Sequence, residues 1–360
     1  MKQYRVGILG ATGMVGQRFV TLLSKHPWFS LRVVAASQRS AGKTYQSAVE
    51  GRWAMDTLIP DTTKNLIVLD VHRDKERIAG AVDFLFCALD MSKEEIRTLE
   101  EAYAKLECPV ISNNSAHRWS DDVPMVIPEI NSEHLQLIAA QRKRLGTTRG
   151  FIAVKSNCSL QSYVPALHPL RKYGLERVLV CTYQAISGAG KTFATWPEMH
   201  DNCIPYIGGE EEKSEKEPMK LWGRLEHDRI IPAQTPQITA QCIRIPCSDG
   251  HLAACFMKFT DGIIPDVEMI RSEWENFTSP LDALSLPSAP KKFLTYFDDN
   301  DRPQTRMDRM LENGMGISIG RLRPDTQYDY KFVCLSHNTL RGAAGGAILL
   351  AELLCAKGYI

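Results

Sequence analysis

A cysteine at the junction of a strand and a helix is the first candidate for chemistry in this chain of 360 residues. Cys158 stands in Ser156-Asn157-Cys158-Ser159, directly after the apolar run 151–154, and a helical pattern follows it. The positive end of a helix dipole lowers the pKa of a nearby thiol and favours the thiolate. We therefore expect Cys158 to be a nucleophile, although on position alone a structural thiol explains the sequence equally well.

A cation and an imidazole occur close together further along the chain. The stretch Arg244-Ile-Pro-Cys-Ser-Asp-Gly-His251 places both on a predicted strand–turn–strand element. A guanidinium can bind a carboxylate through two hydrogen bonds, and an imidazole can exchange a proton near neutral pH. These two groups favour the catalytic interpretation of Cys158. The other eight of the nine histidines are interpreted as structural.

A glycine-rich turn indicates a nucleotide site near the start of the chain. Gly10-Ala-Thr-Gly13-Met-Val-Gly16 follows an apolar strand over residues 4–9 and opens a helical pattern over residues 17–25. Glycines there allow a tight bend and a close backbone approach to a pyrophosphate, whose charge the helix N-terminus offsets. A simple turn that requires positive φ is the alternative.

The end of the second predicted strand indicates which dinucleotide is bound. NAD sites usually place an acidic residue there, but this chain has Ser37, Arg39 and Ser40, with Lys43 nearby. A guanidinium and hydroxyls suit a 2′-phosphate, so we predict NADP rather than NAD. A solvated arginine on a loop is the alternative.

Composition excludes several classes of partner. Lys and Arg number 43 and Asp and Glu 42, for a formal net charge of +1. Nucleic-acid-binding and membrane-surface proteins usually carry a basic excess, so we expect neither partner. The sequence contains no run of about 18 apolar residues, so we predict no membrane span. A 44% hydrophobic content is enough for the cores of about two domains.

The ten cysteines are scattered, and none forms a Cys/His cluster with zinc spacing. We therefore predict no metal site. No secretory signal is evident, so we expect a reduced, cytoplasmic protein in which most cysteines are small buried hydrophobes.

The elements that would position these residues fall into two regions. Strands and helices alternate up to about residue 112, which predicts a parallel, doubly wound sheet. Residues 177–187, 238–246 and 251–260 are longer β-rich stretches, typical of a mixed or antiparallel sheet. Residues 279–304 are rich in Pro, Asp and Asn and predict an irregular excursion. The small-residue stretch 343–354 predicts a helix that packs closely on a sheet.

Seven motifs in one order resemble the aspartate-semialdehyde dehydrogenase family, in particular its archaeal and fungal-type branch. The resemblance extends from residue 4 to about residue 355. Besides the motifs quoted above around Gly10, Ser37, Cys158 and Arg244, its motifs are Gln184-Ala-Ile-Ser-Gly-Ala-Gly190, Gly209-Glu-Glu-Glu-Lys213 and Asn338-Thr-Leu-Arg-Gly-Ala-Ala-Gly345.

The resemblance implies an α/β fold of two domains. Residues 1–155 plus 338–360 would form a Rossmann-like NADP-binding domain with a parallel sheet. Residues 156–337 would form an α+β catalytic and dimerisation domain with a mixed sheet. The family also implies a homodimer or homotetramer.

The resemblance also implies a role for individual residues. Cys158 matches the nucleophile, His251 the acid–base residue, and Gln184 the residue that positions substrate beside the thiol. For the substrate, Arg244 matches the carboxylate-binding arginine, Glu210 the acid that meets the amine, and Lys213 and Arg118 the phosphate-binding cations. The implied NADP contacts are Gly10, Thr12, Gly13, Met14, Val15, Ser37, Arg39, Ser40 and, on the nicotinamide side, Asn338.

The implied reaction reduces 4-phospho-L-aspartate to L-aspartate 4-semialdehyde, a step in lysine, threonine and methionine biosynthesis. Cys158 would attack the acyl phosphate, phosphate would leave, and NADPH would reduce the thioester while His251 supplies a proton. A thioester accepts hydride more readily than a serine ester does.

Two departures and three alternatives remain. Ala88-Leu-Asp90 differs from the Ala-Leu-Pro of many relatives, so the cofactor contacts there are open. Cys247 replaces an aliphatic residue and is interpreted as a core substitution. A malonyl-CoA reductase, an N-acetyl-glutamyl-phosphate reductase or a non-catalytic NADP-binding sensor would share much of this pattern. Arg244 and Glu210 favour an amino-acid substrate over a coenzyme A thioester.

Overall fold

The computed structural model describes residues 3–262 and 264–360. Its strands are β1 (Tyr4–Leu9), β2 (Phe29–Ala36), β3 (Leu69–Asp70), β4 (Phe84–Cys87), β5 (Val110–Ser112), β6 (Met125–Val126), β7 (Ile152–Lys155), β8 (Leu175–Gln184), β9 (Arg224–Glu226), β10 (Arg229–Ile231), β11 (Gln237–Arg244), β12 (His251–Phe259), β13 (Leu294–Phe297), β14 (Ile317–Pro324) and β15 (Tyr330–Ser336).

The helices that cover these strands vary in length from 4 to 13 residues. They are α1 (Met14–Leu23), α2 (Tyr45–Ala48), α3 (Asp61–Lys64), α4 (Lys75–Ala81), α5 (Lys93–Lys105), α6 (Pro128–Asn131), α7 (Leu137–Leu145), α8 (Leu160–Leu167), α9 (Glu210–Leu221), α10 (Val267–Glu275), α11 (Thr305–Asp308) and α12 (Gly345–Ala356). A π-helical turn, Leu340–Ala344, leads directly into α12.

The first sheet is parallel throughout and has seven strands in the order β3-β2-β1-β4-β5-β7-β6. The strands β4 and β7 are buried along their length, and β1 is buried from Val6 onward, because helices cover both faces of the sheet. The predicted parallel, doubly wound sheet is confirmed. Of the apolar run 66–69, only Leu69 takes part in a strand of this sheet.

The second sheet is mixed and has six strands in the order β11-β8-β12-β15-β14-β13. β11 runs parallel to β8 and β13 parallel to β14, whereas the other neighbours are antiparallel. In β12 every second residue is buried and the others are half-buried, so one face is packed on helices and the other is only partly covered. The predicted mixed sheet is confirmed.

Two sequence predictions need correction or extension here. The excursion over residues 279–304 is not irregular throughout, because residues Leu294–Phe297 form the edge strand β13, paired with β14. The stretch 343–354 is helical as expected, and α12 packs against β5 and β7 of the first sheet. The exact domain boundaries stay a prediction.

The helices of the described ranges are too short or too polar to span a bilayer.

Candidate active site

The nucleophile candidate lies in a turn that its neighbour holds rigid. The side-chain oxygen of Asn157 accepts hydrogen bonds from the backbone N–H of Ser159 at 2.8 Å and from its hydroxyl at 2.7 Å. The backbone N–H of Asn157 donates to Glu217 at 2.7 Å. Cys158 is therefore presented between the end of β7 and the start of α8 with little conformational freedom.

The imidazole of His251 faces this thiol. The Sγ of Cys158 lies 3.6 Å from Nε2 of His251, although the two residues are 93 positions apart in sequence. The backbone N–H of Ala185 donates to the other ring nitrogen, Nδ1, at 3.1 Å. The ring orientation is thus fixed from behind, and the thiol and imidazole form the pair that the sequence predicted.

Sheet register explains why residues from distant segments converge here. Gln184 and Arg244 end the parallel strands β8 and β11 and are register partners. His251 begins β12, which runs antiparallel to β8. All three residues therefore lie at the same end of three neighbouring strands of the second sheet. A Cβ atom on Gly188 would lie 2.9 Å from Nη1 of Arg244 and 3.0 Å from Nε2 of His251. Glycine there leaves the guanidinium and the imidazole accessible.

The helix α9 supplies a second group of site residues on one face. Glu210, Lys213 and Glu217 follow one another at helical spacing, so their side chains point to the same side. Glu210 accepts from Lys213 at 2.7 Å and from the amide of Asn157 at 3.0 Å. The amide of Gln184 lies 3.4 Å from Glu210. Gln184 therefore contacts the acid as well as standing at the sheet edge.

Arg118 is buried beside Cys158 with a defined orientation. Its Nη1 pairs with Glu217 at 2.8 Å, and its other nitrogens donate to the carbonyls of Lys155 and Asn113, both at 3.1 Å. Because Glu217 also accepts from the backbone of Asn157, one carboxylate aligns the arginine with the turn that carries Cys158.

A cavity of about 150 Å³ connects this chemistry to the glycine turn. Val15 lines it from the start of α1, Arg118 and Cys158 from the substrate side, and Asn338 from the turn before α12. The side chain of Asn338 accepts from Gly250 N–H at 2.8 Å and donates to Ser187 at 2.8 Å. Asn338 thus ties the His251 turn to the wall that faces the cofactor turn.

The glycine turn fits a dinucleotide. Gly10 has φ +87°, and a Cβ there would lie 2.3 Å from the carbonyl oxygen of Ala88. A Cβ on Gly16 would lie 2.2 Å from the Gly10 oxygen, whereas Gly13 faces nearly open space. Within the described chain, α1 begins without a side-chain cap or an acidic residue in its first turn. Its N–H groups can therefore meet an anion.

The end of β2 is joined to this turn and carries the predicted phosphate contacts. The N–H groups of Gly10 and Ala11 both donate to the carbonyl of Ala35, at 2.9 and 3.0 Å. Arg39 follows on the exposed loop, and its side chain makes no hydrogen bond or ion pair with any described residue. Ser40 is buried and Ser37 half-buried. Thr12, Met14 and Val15 are half-buried in the turn itself.

The electrostatics of Cys158 differ from the prediction. Burial raises the pKa of the Cys158 thiol, and Glu210 acts in the same direction against the nearby cations Lys155, Arg118 and Arg244. The net shift is opposite in direction to the predicted lowering, because desolvation of the half-buried sulfur outweighs the effect of the nearby cations. Burial and the Arg244 guanidinium lower the pKa of His251 to about 3.

Sequence reasoning missed three residues of the site. Glu217 aligns Arg118, and its spacing to Glu210 on a helix would have suggested a shared face. The amide of Asn113 lines the cavity without a partner among the described residues. Lys155 is buried three positions before the nucleophile, where an apolar strand residue is expected. No sequence signal marks the last two.

The structure also shows the positions of the two residues that depart from the family pattern. Cys247 is half-buried in a turn, where its thiol contacts the carbonyl of Asp249 at 3.2 Å, so its interpretation as a core substitution is wrong. Asp90 is exposed beyond the end of β4. Cys87, Cys108, Cys242, Cys255 and Cys334 are buried, as expected for small hydrophobes.

Two family models match successive parts of the chain. The family model described as "Semialdehyde dehydrogenase, NAD binding domain" matches residues 5–138, and "Semialdehyde dehydrogenase, dimerisation domain" matches residues 167–341. The chain is 41% identical over 358 residues to an aspartate-semialdehyde dehydrogenase from Archaeoglobus fulgidus, covering 99% of this chain and 100% of that one. It is 39% identical over 365 residues to that of Saccharomyces cerevisiae, covering 98% of each.

Solved structures agree over the full length. The chain superposes on aspartate semialdehyde dehydrogenase with NADP from Candida albicans with a TM-score of 0.89 and 35% identity, covering 100% of both chains. It superposes on aspartate semialdehyde dehydrogenase II complexed with ASA from Vibrio cholerae with a TM-score of 0.71 and 25% identity, covering 99% of both.

Proposed function

The chain belongs to the aspartate-semialdehyde dehydrogenase family, and we propose that its site performs the family reaction through the residues described above. The reaction is the NADP-dependent, reversible reductive dephosphorylation of 4-phospho-L-aspartate to L-aspartate 4-semialdehyde, within lysine, threonine and methionine biosynthesis. The observation that carries the residue assignment is the thiol of Cys158 at 3.6 Å from the imidazole of His251, in one cavity with Arg118.

The first half of the reaction transfers the acyl group to sulfur. The thiolate of Cys158 attacks the carbonyl carbon of the acyl phosphate, the bond to the phosphate oxygen breaks, and a thioester forms. The departing phosphate gains charge as it leaves. Arg118, held beside Cys158 by Glu217, and Lys213, whose amine is partly exposed, stabilise that charge.

The second half reduces the thioester and releases the aldehyde. NADPH, bound along the glycine turn and the loop of Arg39, supplies the hydride. As the thiohemiacetal collapses to the aldehyde, its C–S bond breaks and His251 supplies the proton that returns the sulfur of Cys158 to the thiol. Gly10, Thr12, Gly13, Met14 and Val15 hold the pyrophosphate side, and Ser37, Arg39 and Ser40 the 2′-phosphate side. Asn338 borders the nicotinamide side.

Recognition of an amino acid requires a cation and an anion on opposite sides of the substrate. Arg244, buried at the sheet edge beside His251, binds the α-carboxylate through its guanidinium. Glu210 binds the α-amine, and Gln184 positions the reacting group near the thiol. Glu210 and Lys213 form an ion pair in the free chain, so substrate binding separates them into amine and phosphate contacts.

The assembly follows from the half-covered face of the second sheet. Leu252, Ala254 and Phe256 of β12 lie on that face beside Leu179 and Tyr183 of β8, all half-buried. A second copy of the chain would cover this apolar surface, in agreement with the dimerisation domain matched at residues 167–341. We propose a homodimer, or a homotetramer built from it, in the cytoplasm.

An assay that follows the formation of NADPH tests the reaction directly. We expect NADPH to form from aspartate semialdehyde only when phosphate and NADP are both present. Malonyl-CoA and N-acetyl-glutamyl phosphate, supplied with NADPH, serve as competing substrates. Oxidation of NADPH with either of these, without activity on aspartate semialdehyde, would exclude the proposed substrate. Absence of any turnover with tight NADP binding would point to a sensor.

A further inference from the structure

Two acidic residues of α9 have no part in the proposed reaction. Glu211 and Glu215 stand beside the site residues Glu210 and Lys213 on this helix, and both are half-buried. Acidic side chains on a helix are usually solvated, and nothing more would then follow from them. Here, however, both carboxylates accept hydrogen bonds from backbone N–H groups of the strand β11, so their orientation is defined.

The strand β11 is an edge strand and needs acceptors on its outer side. It lies at one end of the strand order of the second sheet and pairs with β8. Because a helix has no free carbonyl along its middle, only side chains of α9 can accept from this edge. The N–H of Ala240 donates to Glu215 at 3.1 Å, and the N–H of Cys242 donates to Glu211 at 3.2 Å. The two carboxylates thus take the place of a neighbouring strand.

The same edge ends at a proposed substrate ligand. The N–H of Arg244 donates to the carbonyl of Ile204 at 2.8 Å. The side-chain amide of Gln241 adds a second contact to Glu211, at 2.8 Å. The bonds between α9 and β11 therefore reach the end of the strand, close to the residue proposed above to bind the α-carboxylate.

Helical spacing divides the charged residues of α9 into three stripes. The first, the site stripe, faces the turn of Cys158 and consists of Glu210, Lys213 and Glu217. Glu211 and Glu215 form the second stripe, which faces β11. Glu212 and Lys216 form the third, an exposed ion pair at 2.8 Å. Because each residue of an α-helix is turned by about 100° from the last, a rotation of α9 that breaks the second stripe also displaces the first.

We propose that Glu211 and Glu215 are positioning residues, whose hydrogen bonds to β11 fix the rotation of α9 and so hold the site stripe at the substrate. Apolar packing is non-directional and lets a helix rotate, whereas a hydrogen bond weakens steeply once it is misaligned. Glu210 depends on this setting, because its carboxylate accepts from the amide of Asn157 at 3.0 Å. The role rests on the proposed function, in which Glu210 binds the amine and Lys213 the phosphate.

Steady-state kinetics of two alanine variants tests the role. In Glu211→Ala and Glu215→Ala we expect KM for aspartate semialdehyde and KM for phosphate to rise by about tenfold or more. The loss in kcat should be smaller, because the binding groups are displaced while Cys158 stays in place. The Kd for NADP, from fluorescence titration, should remain within about twofold of wild type.

Conservative variants and a control separate positioning from charge. Glu211→Gln and Glu215→Gln remove the charge but keep an oxygen that accepts from an N–H, so they should recover most of the loss. Glu212→Ala removes an acid of the same helix that pairs with Lys216 instead, and it should leave both KM values unchanged. Equal losses in the glutamine and alanine variants, an equal rise in Glu212→Ala, or unchanged KM values in folded alanine variants would overturn the proposal.

Glu211→Asp provides the test if the alanine variants do not fold. It keeps the charge on a side chain that is one methylene shorter, so the bond to Cys242 can form only if α9 moves. We expect KM for aspartate semialdehyde to rise by about threefold, because a small displacement of a binding group is costly. A folded aspartate variant with the wild-type KM overturns the proposal.

A second measurement needs no substrate. Burial and then Glu210 raise the pKa of the Cys158 thiol. The other titratable or charged groups that face the sulfur are Lys155, Arg118, Arg244 and His251. A rotation of α9 that withdraws Glu210 should lower the pH midpoint of Cys158 alkylation by iodoacetamide, by about half a unit or more in Glu211→Ala.

The alkylation midpoint separates the two proposals. An unchanged midpoint in folded Glu211→Ala overturns the positioning role. A lowered midpoint, in a chain whose wild type does not oxidise aspartate semialdehyde, supports the link between α9 and Cys158 and counts against the proposed function alone.

Discussion

The two sheets of this molecule present function in different ways. In the first sheet, strands buried on both faces end in a turn whose backbone we propose binds the cofactor, so glycine φ angles and close backbone approaches determine the shape of that site. In the second sheet, strands of alternating burial end in side chains that lie around Cys158. Backbone sites are local in sequence because consecutive residues form them, whereas side-chain sites depend on sheet register between distant segments.

The separations show how large this difference is. Val15 and the three glycines of the cofactor turn lie within one motif of the sequence. In contrast, Cys158 and His251 are 93 residues apart, and Arg118 and Glu217 are 99. A substitution in the side-chain site should therefore affect catalysis without changing the cofactor turn, and the converse should also hold.

The largest effect is expected from Cys158→Ala. Loss of the nucleophile should lower phosphate-dependent turnover of aspartate semialdehyde by at least about 10⁴-fold, because no thioester can form. NADP affinity, measured by fluorescence titration, should stay within about twofold of wild type since only Val15 of the turn borders the thiol cavity. A large loss of NADP affinity would show that the cofactor turn and the site around Cys158 do not act independently.

Glu217→Gln should have the next largest effect. The substitution keeps the size of the side chain but weakens its contacts with Arg118 and with the backbone of Asn157. We expect kcat/KM for the acyl phosphate to fall by about a hundredfold, as a small displacement of a reacting group does. Steady-state kinetics measures this. Glu212→Gln, which removes an exposed pair with Lys216 on the same helix, is the control and should leave kcat/KM unchanged.

Arg39→Ala probes the cofactor region alone. Loss of a charge-assisted contact to the 2′-phosphate should raise KM for NADP by about tenfold to a hundredfold, while KM for aspartate semialdehyde stays the same. The NAD reaction should be unaffected. Arg32, exposed on β2, offers a control of the same type. Equal losses with NADP and NAD would show that Arg39 does not read the phosphate.

The smallest effect concerns stability in acid. Burial and Arg171 lower the pKa of His168 to about 4. In the unfolded chain His168 has its ordinary pKa of 6.5, so the unfolded chain binds more protons than the folded one between pH 6.5 and 4. The contribution of neutral His168 to the free energy of unfolding is therefore fully present above pH 6.5 and is lost as the pH falls from 6.5 through 4. His168→Gln should make this fall shallower by on the order of 1 kcal/mol in urea unfolding. The same slope in the variant would contradict the shift.

Sequence alone predicted the local features better than the assembled ones. The glycine turn and the parallel sheet could be recognised because each depends on neighbouring residues, whereas the role of Cys158 stays a prediction. The pKa of the Cys158 thiol could not be predicted, because it follows from burial and from the charge of Glu210, which only the fold brings close. The strand β13 lies within a Pro- and Asp-rich segment, where pairing with β14 outweighs local propensity. The sequence indicates only that Lys155 belongs to a strand, and its burial in the cavity of Cys158 is evident only from the structure.

The position of α12 has a consequence for how the protein is made. This helix packs on β5 and β7, yet it follows the glycine turn by most of the chain. At translation rates of ~5–20 residues per second, the turn emerges from the ribosome roughly 20–60 s before the helix that completes its layer. The strands β8, β11 and β12 of the second sheet are made in that interval, but its inner strand β15 ends only at Ser336, shortly before α12 begins at Gly345. Neither the second sheet nor the layer that α12 completes can therefore be finished until nearly the whole chain has been made.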